Sequence, residues 1–246
     1  MTMIVAGGSR GIGLELALAL LPADRRVVIG FSADADAAHD AEKQLTSLGA
    51  AVRLVQTDLG TPQGAEALVD AAGDQPIDQV VHSCVTVGPP SLLQEDADWA
   101  QSWGHAMSVN AMSLVWLTRA ALPRLHRGST VLYVTSRGSS RVFPGYASVG
   151  PAKAFAESLV RHLAVELAPR GVRVNALAPA AQDTASFRAA FGPDSVGILQ
   201  RAGAASPSGR AVQPEDYVGA ARFLTTPAAA MVTGHVLPVY GGGDLV

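Results

Sequence analysis

Met3-Ile4-Val5-Ala6-Gly7-Gly8-Ser9-Arg10-Gly11-Ile12-Gly13 is the stretch on which the reading of this chain turns. Four apolar residues suit a buried strand, and the closely spaced glycines that follow open a helix near Gly11. In a strand–turn–helix of this kind, backbone N–H groups and the positive end of the helix meet a pyrophosphate with no side chain in the way. A helix-start loop that merely tolerates glycine would read the same, so the surroundings decide.

Those surroundings alternate. Met3–Ala6, Arg26–Phe31, Val52–Gln56, Val80–Ser83, Thr130–Thr135, Val172–Ala176 and His235–Val239 read as strands. Helices are expected to begin near Gly11, Asp36, Pro62, Trp103, Ser148 and Pro214, several with Ser, Thr, Asp or Pro in the first turn, where capping needs them. The pattern predicts an α/β fold: a Rossmann-type, doubly wound parallel sheet with helices on both faces. Residues 1–246 read as one dinucleotide-binding domain. The Gly-, Ala-, Ser- and Pro-rich segment 183–210 is expected to form a mobile lid over the site.

Composition narrows the chemistry. A chain 48% hydrophobic and 16% charged can bury one large core. A net charge of −3 without basic runs gives no footprint for nucleic acid or an acidic membrane. Cys84, the single cysteine, has no internal partner, and no Cys/His cluster offers metal ligands, so no protein-bound metal is expected. The apolar start is too short for a signal peptide or a span, which fits a cytoplasmic protein.

The Gly-x3-Gly-x-Gly spacing of Gly7, Gly11 and Gly13 resembles the turn of the short-chain dehydrogenase/reductase family. The resemblance implies a nicotinamide dinucleotide held by Gly7, Ser9, Arg10, Gly11, Ile12 and Gly13, and an oxidoreductase. The second strand ends Ile29-Gly30-Phe31-Ser32-Ala33, with no carboxylate there to repel a 2′-phosphate. Arg10 is placed as in relatives whose guanidinium contacts that phosphate, so NADPH is expected, with Ser32 beside it. Arg10 as a solvated surface charge is the plain alternative, and nearby Asp34 leaves NADH possible. Asp58-Leu59 matches the family's adenine-edge pair, though an Asp there also suits a cap.

The catalytic end departs from the common pattern. The family's usual Tyr-x3-Lys would put a tyrosine at Val149. Instead Tyr146 stands seven residues before Lys153, expected in the loop or first turn ahead of the helix that Gly150 and Pro151 open. This Tyr-x6-Lys spacing, the continuation Gly150-Pro-Ala-Lys153-Ala154, and Val81-His82-Ser83 resemble the enoyl-[acyl-carrier-protein] reductase branch. In that frame His82 and Ser83 flank the nicotinamide, as do Pro179 and Thr184, although the usual glycine after Pro179 is Ala180. The frame makes Tyr146 the proton or hydrogen-bond donor to substrate oxygen. Lys153 lowers the tyrosine's pKa and holds the ribose. Ser136 orders the tyrosine or the substrate carbonyl, and Asn110 bends its helix and helps a water relay towards Lys153. As residue types alone, Ser136 and Asn110 also suit structural polar positions, and Lys153 a snorkelling surface one.

The resemblance covers nearly the whole chain. It implies reduction of the carbon–carbon double bond of an enoyl thioester carried on acyl-carrier protein or coenzyme A, by a homotetramer or homodimer, in fatty acid or polyketide synthesis. A 3-oxoacyl-thioester ketoreductase is the nearest alternative. A non-catalytic NADP-binding sensor or assembly subunit is an alternative of another class.

Overall fold

The computed structural model describes residues 2–21, 26–95 and 97–245. Seven strands, β1 (Thr2–Ala6), β2 (Arg26–Phe31), β3 (Ala51–Gln56), β4 (Ile77–His82), β5 (Leu125–Val134), β6 (Arg173–Pro179) and β7 (Val236–Val239), form one parallel sheet. Their order is β3-β2-β1-β4-β5-β6-β7, so the winding reverses between β1 and β4. At such a switch point the strand ends part and leave a crevice for a ligand.

The helices are α1 (Gly11–Leu20), α2 (Ala35–Ser47), α3 (Pro62–Asp70), α4 (Trp99–Met107), α5 (Ser113–Ala121), α6 (Gly150–Leu167), α7 (Ala185–Phe191), α8 (Ser195–Ala204) and α9 (Pro214–Thr225). Alternate side chains of each strand face opposite layers. Ile4, Val131 and Tyr133 pack with Leu68, Leu114 and Val160 of α3, α5 and α6. Met3, Val5 and Leu132 pack with Leu16, Leu45 and Tyr217 of α1, α2 and α9. The expected fold class is therefore the observed one: a single doubly wound sheet covered on both faces.

Several boundaries differ from those expected, β5 beginning at Leu125 and β6 running on to Pro179 among them. The helix expected near Trp103 starts at Trp99, where Trp99 and Trp103, one turn apart, stack with centroids 5.7 Å apart. That helix is interrupted, because Ser108–Met112 winds as a π-helix before α5 resumes. Segment 183–210 carries two short helices, α7 and α8. Thr184 caps the first through Oγ1, which accepts from the Phe187 N–H at 3.1 Å. Among the described residues, no helix is long and apolar enough to cross a membrane.

Candidate active site

The crevice at the switch point is a cleft of about 540 Å³ that runs from the first turn to α7 and α8. Its floor at one end is the glycine turn. Gly7 has a φ of 75°, and a Cβ there would lie 2.6 Å from the Cys84 Cα; a Cβ on Gly13 would lie 2.1 Å from the Gly7 carbonyl oxygen. Side chains are therefore excluded where β1, β4 and α1 converge. Gly7, Ser9, Arg10, Gly11 and Ile12 line the cleft, whereas Gly13 acts behind them through this packing. The turn leaves the start of α1 open for phosphate oxygens, which fits a dinucleotide.

Further out, Ser32, Asp58 and Leu59 line the cleft. Arg10 is not a free surface charge: its Nη1 donates to Asp34 Oδ2 at 2.5 Å, while Asp34 Oδ1 accepts from the Ala37 N–H at the start of α2. Asp58 does not cap α3; Oδ1 accepts from the Gly60 N–H at 2.8 Å, and the cap of α3 is Thr61. At the other end Ser83, Lys153, Pro179 and Thr184 line the cleft. A Cβ on Gly11 would come within 3.1 Å of the Thr184 methyl, so segment 183–210 begins directly over the glycine turn.

His82 does not join them. Its side chain is fully buried on the other face of the sheet, its ring 4.8 Å from that of Tyr133 and its Nε2 2.6 Å from Ser113 Oγ. The expected nicotinamide contact by this side chain is thus corrected. Period-2 alternation sends residue 82 inward and residue 83 to the cleft.

Asn110 is buried beside the cleft rather than lining it. Within the π-helical turn its side chain takes the Thr86 N–H at 2.8 Å and donates to the Thr86 and Ser148 carbonyls at 2.9 and 3.4 Å. Its own carbonyl accepts the Tyr133 hydroxyl, and Ser113 Oγ donates to the Val109 carbonyl at 2.6 Å. The carbonyls loosened by the π-turn are thus satisfied by protein groups. Asn110 ties the loop after β4 to the turn before α6.

Tyr146 lies in the turn before α6, where its carbonyl accepts from the Val149 and Gly150 N–H groups. Its hydroxyl is 3.5 Å from Ser136 Oγ, and both residues line the cleft with Lys153. Burial pushes the phenol pKa above its ordinary value, and the Ser136 bond pulls slightly the other way. Lys153 is engaged by other groups. The lysine's Nζ donates to the Val134 carbonyl at 2.8 Å and sits 4.6 Å from the Tyr133 ring centroid. Burial brings its pKa down to about 8, partly opposed by Glu157 one turn along α6. Tyr146 is thus paired with Ser136, whereas Lys153 is held by the Val134 carbonyl and the Tyr133 ring. Val149, at the Tyr-x3-Lys position, is buried against the same cleft.

Aromatic residues that the motifs passed over complete the substrate end. Phe143, Phe187 and Phe191 line it, with the Phe191 ring stacked on Tyr146 at 5.5 Å and 11°. The i,i+4 spacing of Phe187 and Phe191 was the available signal, since such a pair marks one face of a helix. Arg137, next to Ser136, pairs with Asp244 at 2.5 Å and lies under the Tyr240 ring, which brings the end of the chain to the mouth.

A doubly wound sheet whose switch-point cleft joins a phosphate-binding glycine turn to a Ser, Tyr and Lys cluster defines a nicotinamide-dependent oxidoreductase. A family profile described as enoyl-(acyl carrier protein) reductase matches residues 6–243. The chain is 30% identical to 7alpha-hydroxysteroid dehydrogenase of Escherichia coli (strain K12), over 98% of this chain and 92% of that one. It is also 30% identical to 1-cyclohexenylcarbonyl-CoA reductase of Streptomyces collinus, over 99% and 86%. The solved structure of the Pseudomonas aeruginosa RhlG/NADP active-site complex superposes with a TM-score of 0.84 at 30% identity, over 98% and 95% of the two chains. The chain belongs to the short-chain dehydrogenase/reductase family.

Proposed function

We propose that this enzyme reduces the carbon–carbon double bond of an enoyl thioester with NADPH. NADPH, when bound, supplies a hydride for the β-carbon. Gly7, Ser9, Gly11 and Ile12 hold the phosphates, Arg10 and Ser32 take the 2′-phosphate side, and Asp58 and Leu59 flank the adenine. Lys153, Ser83, Pro179 and Thr184 hold the nicotinamide end. NADP in the RhlG complex supports this assignment.

The observation that carries the reading is the placement of Tyr146 and Val149. A protonated phenol, paired with Ser136 in the cleft, is aimed to donate to a thioester oxygen as enolate charge develops there. Lys153 supplies fixed positive charge, and the Phe143, Phe187 and Phe191 rings exclude water from the acyl chain. A coenzyme A thioester reductase among the relatives supports the same substrate class.

A ketoreductase reading draws on a different observation. Ser136 and Tyr146 share one oxygen-binding corner, which serves an alkoxide as well as an enolate, and a hydroxysteroid dehydrogenase is among the relatives. NADPH oxidation by the purified protein with a four-carbon trans-2-enoyl thioester, and separately with the matching 3-oxoacyl thioester, decides between them. Enoyl turnover that Tyr146→Phe lowers about a hundredfold is expected, the size of losing one oxyanion donor. Preference for the 3-oxo substrate would make the protein a ketoreductase with displaced spacing. The carrier, acyl-carrier protein or coenzyme A, a place in fatty acid or polyketide synthesis, cytoplasmic location and a symmetric dimer or tetramer belong to the same proposal.

A further inference from the structure

Tyr146 arrives at the cleft by an unusual route. A tyrosine in Tyr-x3-Lys would project from the cap of α6 at position 149, whereas Tyr146 projects from the turn three residues ahead of it. Its ring therefore has to pass over the backbone of the short 3-10 turn Arg137–Ser139 that follows Ser136.

The packing there is specific. A Cβ built on Gly138 would lie 2.5 Å from Tyr146 Cε1, 2.7 Å from its Cδ1 and 3.2 Å from Ser136 Oγ. The Phe191 ring lies nearly parallel to Tyr146, and the Phe143 ring meets it edge-on at 6.4 Å. The Gly138 N–H donates to Ser136 Oγ at 3.2 Å, which leaves the serine's own hydrogen free for the Tyr146 oxygen or for substrate. Gly138 is not among the glycines with positive φ, so an alanine there meets no backbone strain and acts through the Tyr146 ring first and the Ser136 hydroxyl second.

We infer that Gly138 and Phe191 are positioning residues that form the two walls of a slot fixing the Tyr146 ring, an inference that rests on the proposed role of Tyr146. Gly138 acts by lacking a side chain. Phe191 acts from the lid, as the last residue of α7, whose capping residue Thr184 rests on Gly11 of the phosphate turn. A methyl at 138 drives the ring from the slot, and a displacement of about 1 Å at a reacting oxygen costs on the order of a hundredfold in rate.

The test uses the whole chain and four variants, Gly138→Ala, Phe191→Leu, Phe191→Tyr and Tyr146→Phe. Turnover is read with the enoyl and 3-oxoacyl coenzyme A thioesters, NADPH affinity by fluorescence titration, and ring position by NMR of ring-labelled tyrosine. The resonance lost in Tyr146→Phe identifies Tyr146. Gly138→Ala is expected to lower kcat about a hundredfold with NADPH affinity within about twofold, and to shift that resonance. Phe191→Leu is expected to shift it too and to lower kcat about tenfold, with recovery in Phe191→Tyr, which keeps the stacked ring. In a Tyr146→Phe background neither change costs further activity. An unmoved resonance, or an equal loss in that background, overturns the slot. If Gly138→Ala fails to fold, the two Phe191 variants decide by the same readouts. Should Tyr146→Phe retain full turnover, the proposed function fails on its own account, while the resonance still tests the slot.

Discussion

The Lys153 ammonium sits over the face of Tyr133, 4.6 Å from the ring centroid, while the hydroxyl of the same tyrosine donates to the Asn110 carbonyl. One buried side chain thus supports the cation of the site and the π-helical turn beside it. Ring and hydroxyl do separate work, so they can be removed separately.

Tyr133→Phe keeps the ring under Lys153 and leaves the Asn110 carbonyl unpaired in the core. A loss of about 1–3 kcal/mol is expected in denaturant unfolding, with NADPH affinity nearly unchanged. Tyr133→Leu removes the ring face as well and should also weaken NADPH binding. Unchanged stability in Tyr133→Phe would mean that the hydroxyl does not hold the turn.

The buried Lys153 titrates at about 8 against 10.5 in water. Its charge is therefore lost as pH rises through about 8, and kcat/KM, which reports the free enzyme, is expected to fall on that limb. Stability moves the other way. Between about 8 and 10.5 the unfolded chain binds the extra proton, so the native state gains as pH rises across that window. Lys153→Arg, which stays charged, should lose the basic limb; a limb that persists in it would assign the titration to another group.

The Arg10–Asp34 pair is our proposed determinant of cofactor preference. In the observed pair the guanidinium that would meet a 2′-phosphate is shared with a carboxylate of the same sign as that phosphate. Asp34→Asn retains an acceptor for the Ala37 N–H at the start of α2 but removes the charge, and is expected to tighten NADPH several-fold with little effect on NADH. Arg10→Ala should weaken NADPH about tenfold or more and leave NADH alone. Titration of both cofactors against both variants checks this. Equal effects on NADPH and NADH would place the pair outside the 2′-phosphate site.

These residues also mark how far the sequence could be read. Strand–helix alternation was legible because each element is a short run of its own period, and the phosphate turn because only glycine packs where Gly13 meets the Gly7 carbonyl. Tyr146, Ser136 and Lys153 were legible as residue types at a spacing, and the cleft brings all three together. What was not legible depends on direction and on distant partners. His82 and Ser83 are neighbours in sequence, yet the pleat sends one into the core and the other to the cleft. Asn110 and Tyr133 meet only because a π-turn brings a carbonyl of one under the hydroxyl of the other. No local pattern announces such a contact. Helices α7 and α8 escaped because small residues carry little periodicity.

His82 provides the acid counterpart to Lys153. It is buried without a carboxylate partner, and Ser113 gives its hydrogen to the Val109 carbonyl, so Nε2 of the histidine must be the donor to Ser113 Oγ. Burial and the nearby Lys153 charge hold its pKa down to about 3, whereas the unfolded chain protonates it near 6.5. As pH falls from 6.5 towards 3 the unfolded state takes up a proton that the native state refuses, and stability declines across that window. At pH 5 the difference is on the order of 2 kcal/mol. His82→Gln keeps an N–H for Ser113 but cannot be protonated, so its stability should fall less between pH 7 and pH 5 by about that amount. Paired urea titrations at the two pH values measure it. Parallel losses in the two proteins would locate the acid sensitivity elsewhere, whereas a flattened response would identify His82 as the group whose protonation on unfolding costs the fold its stability in acid.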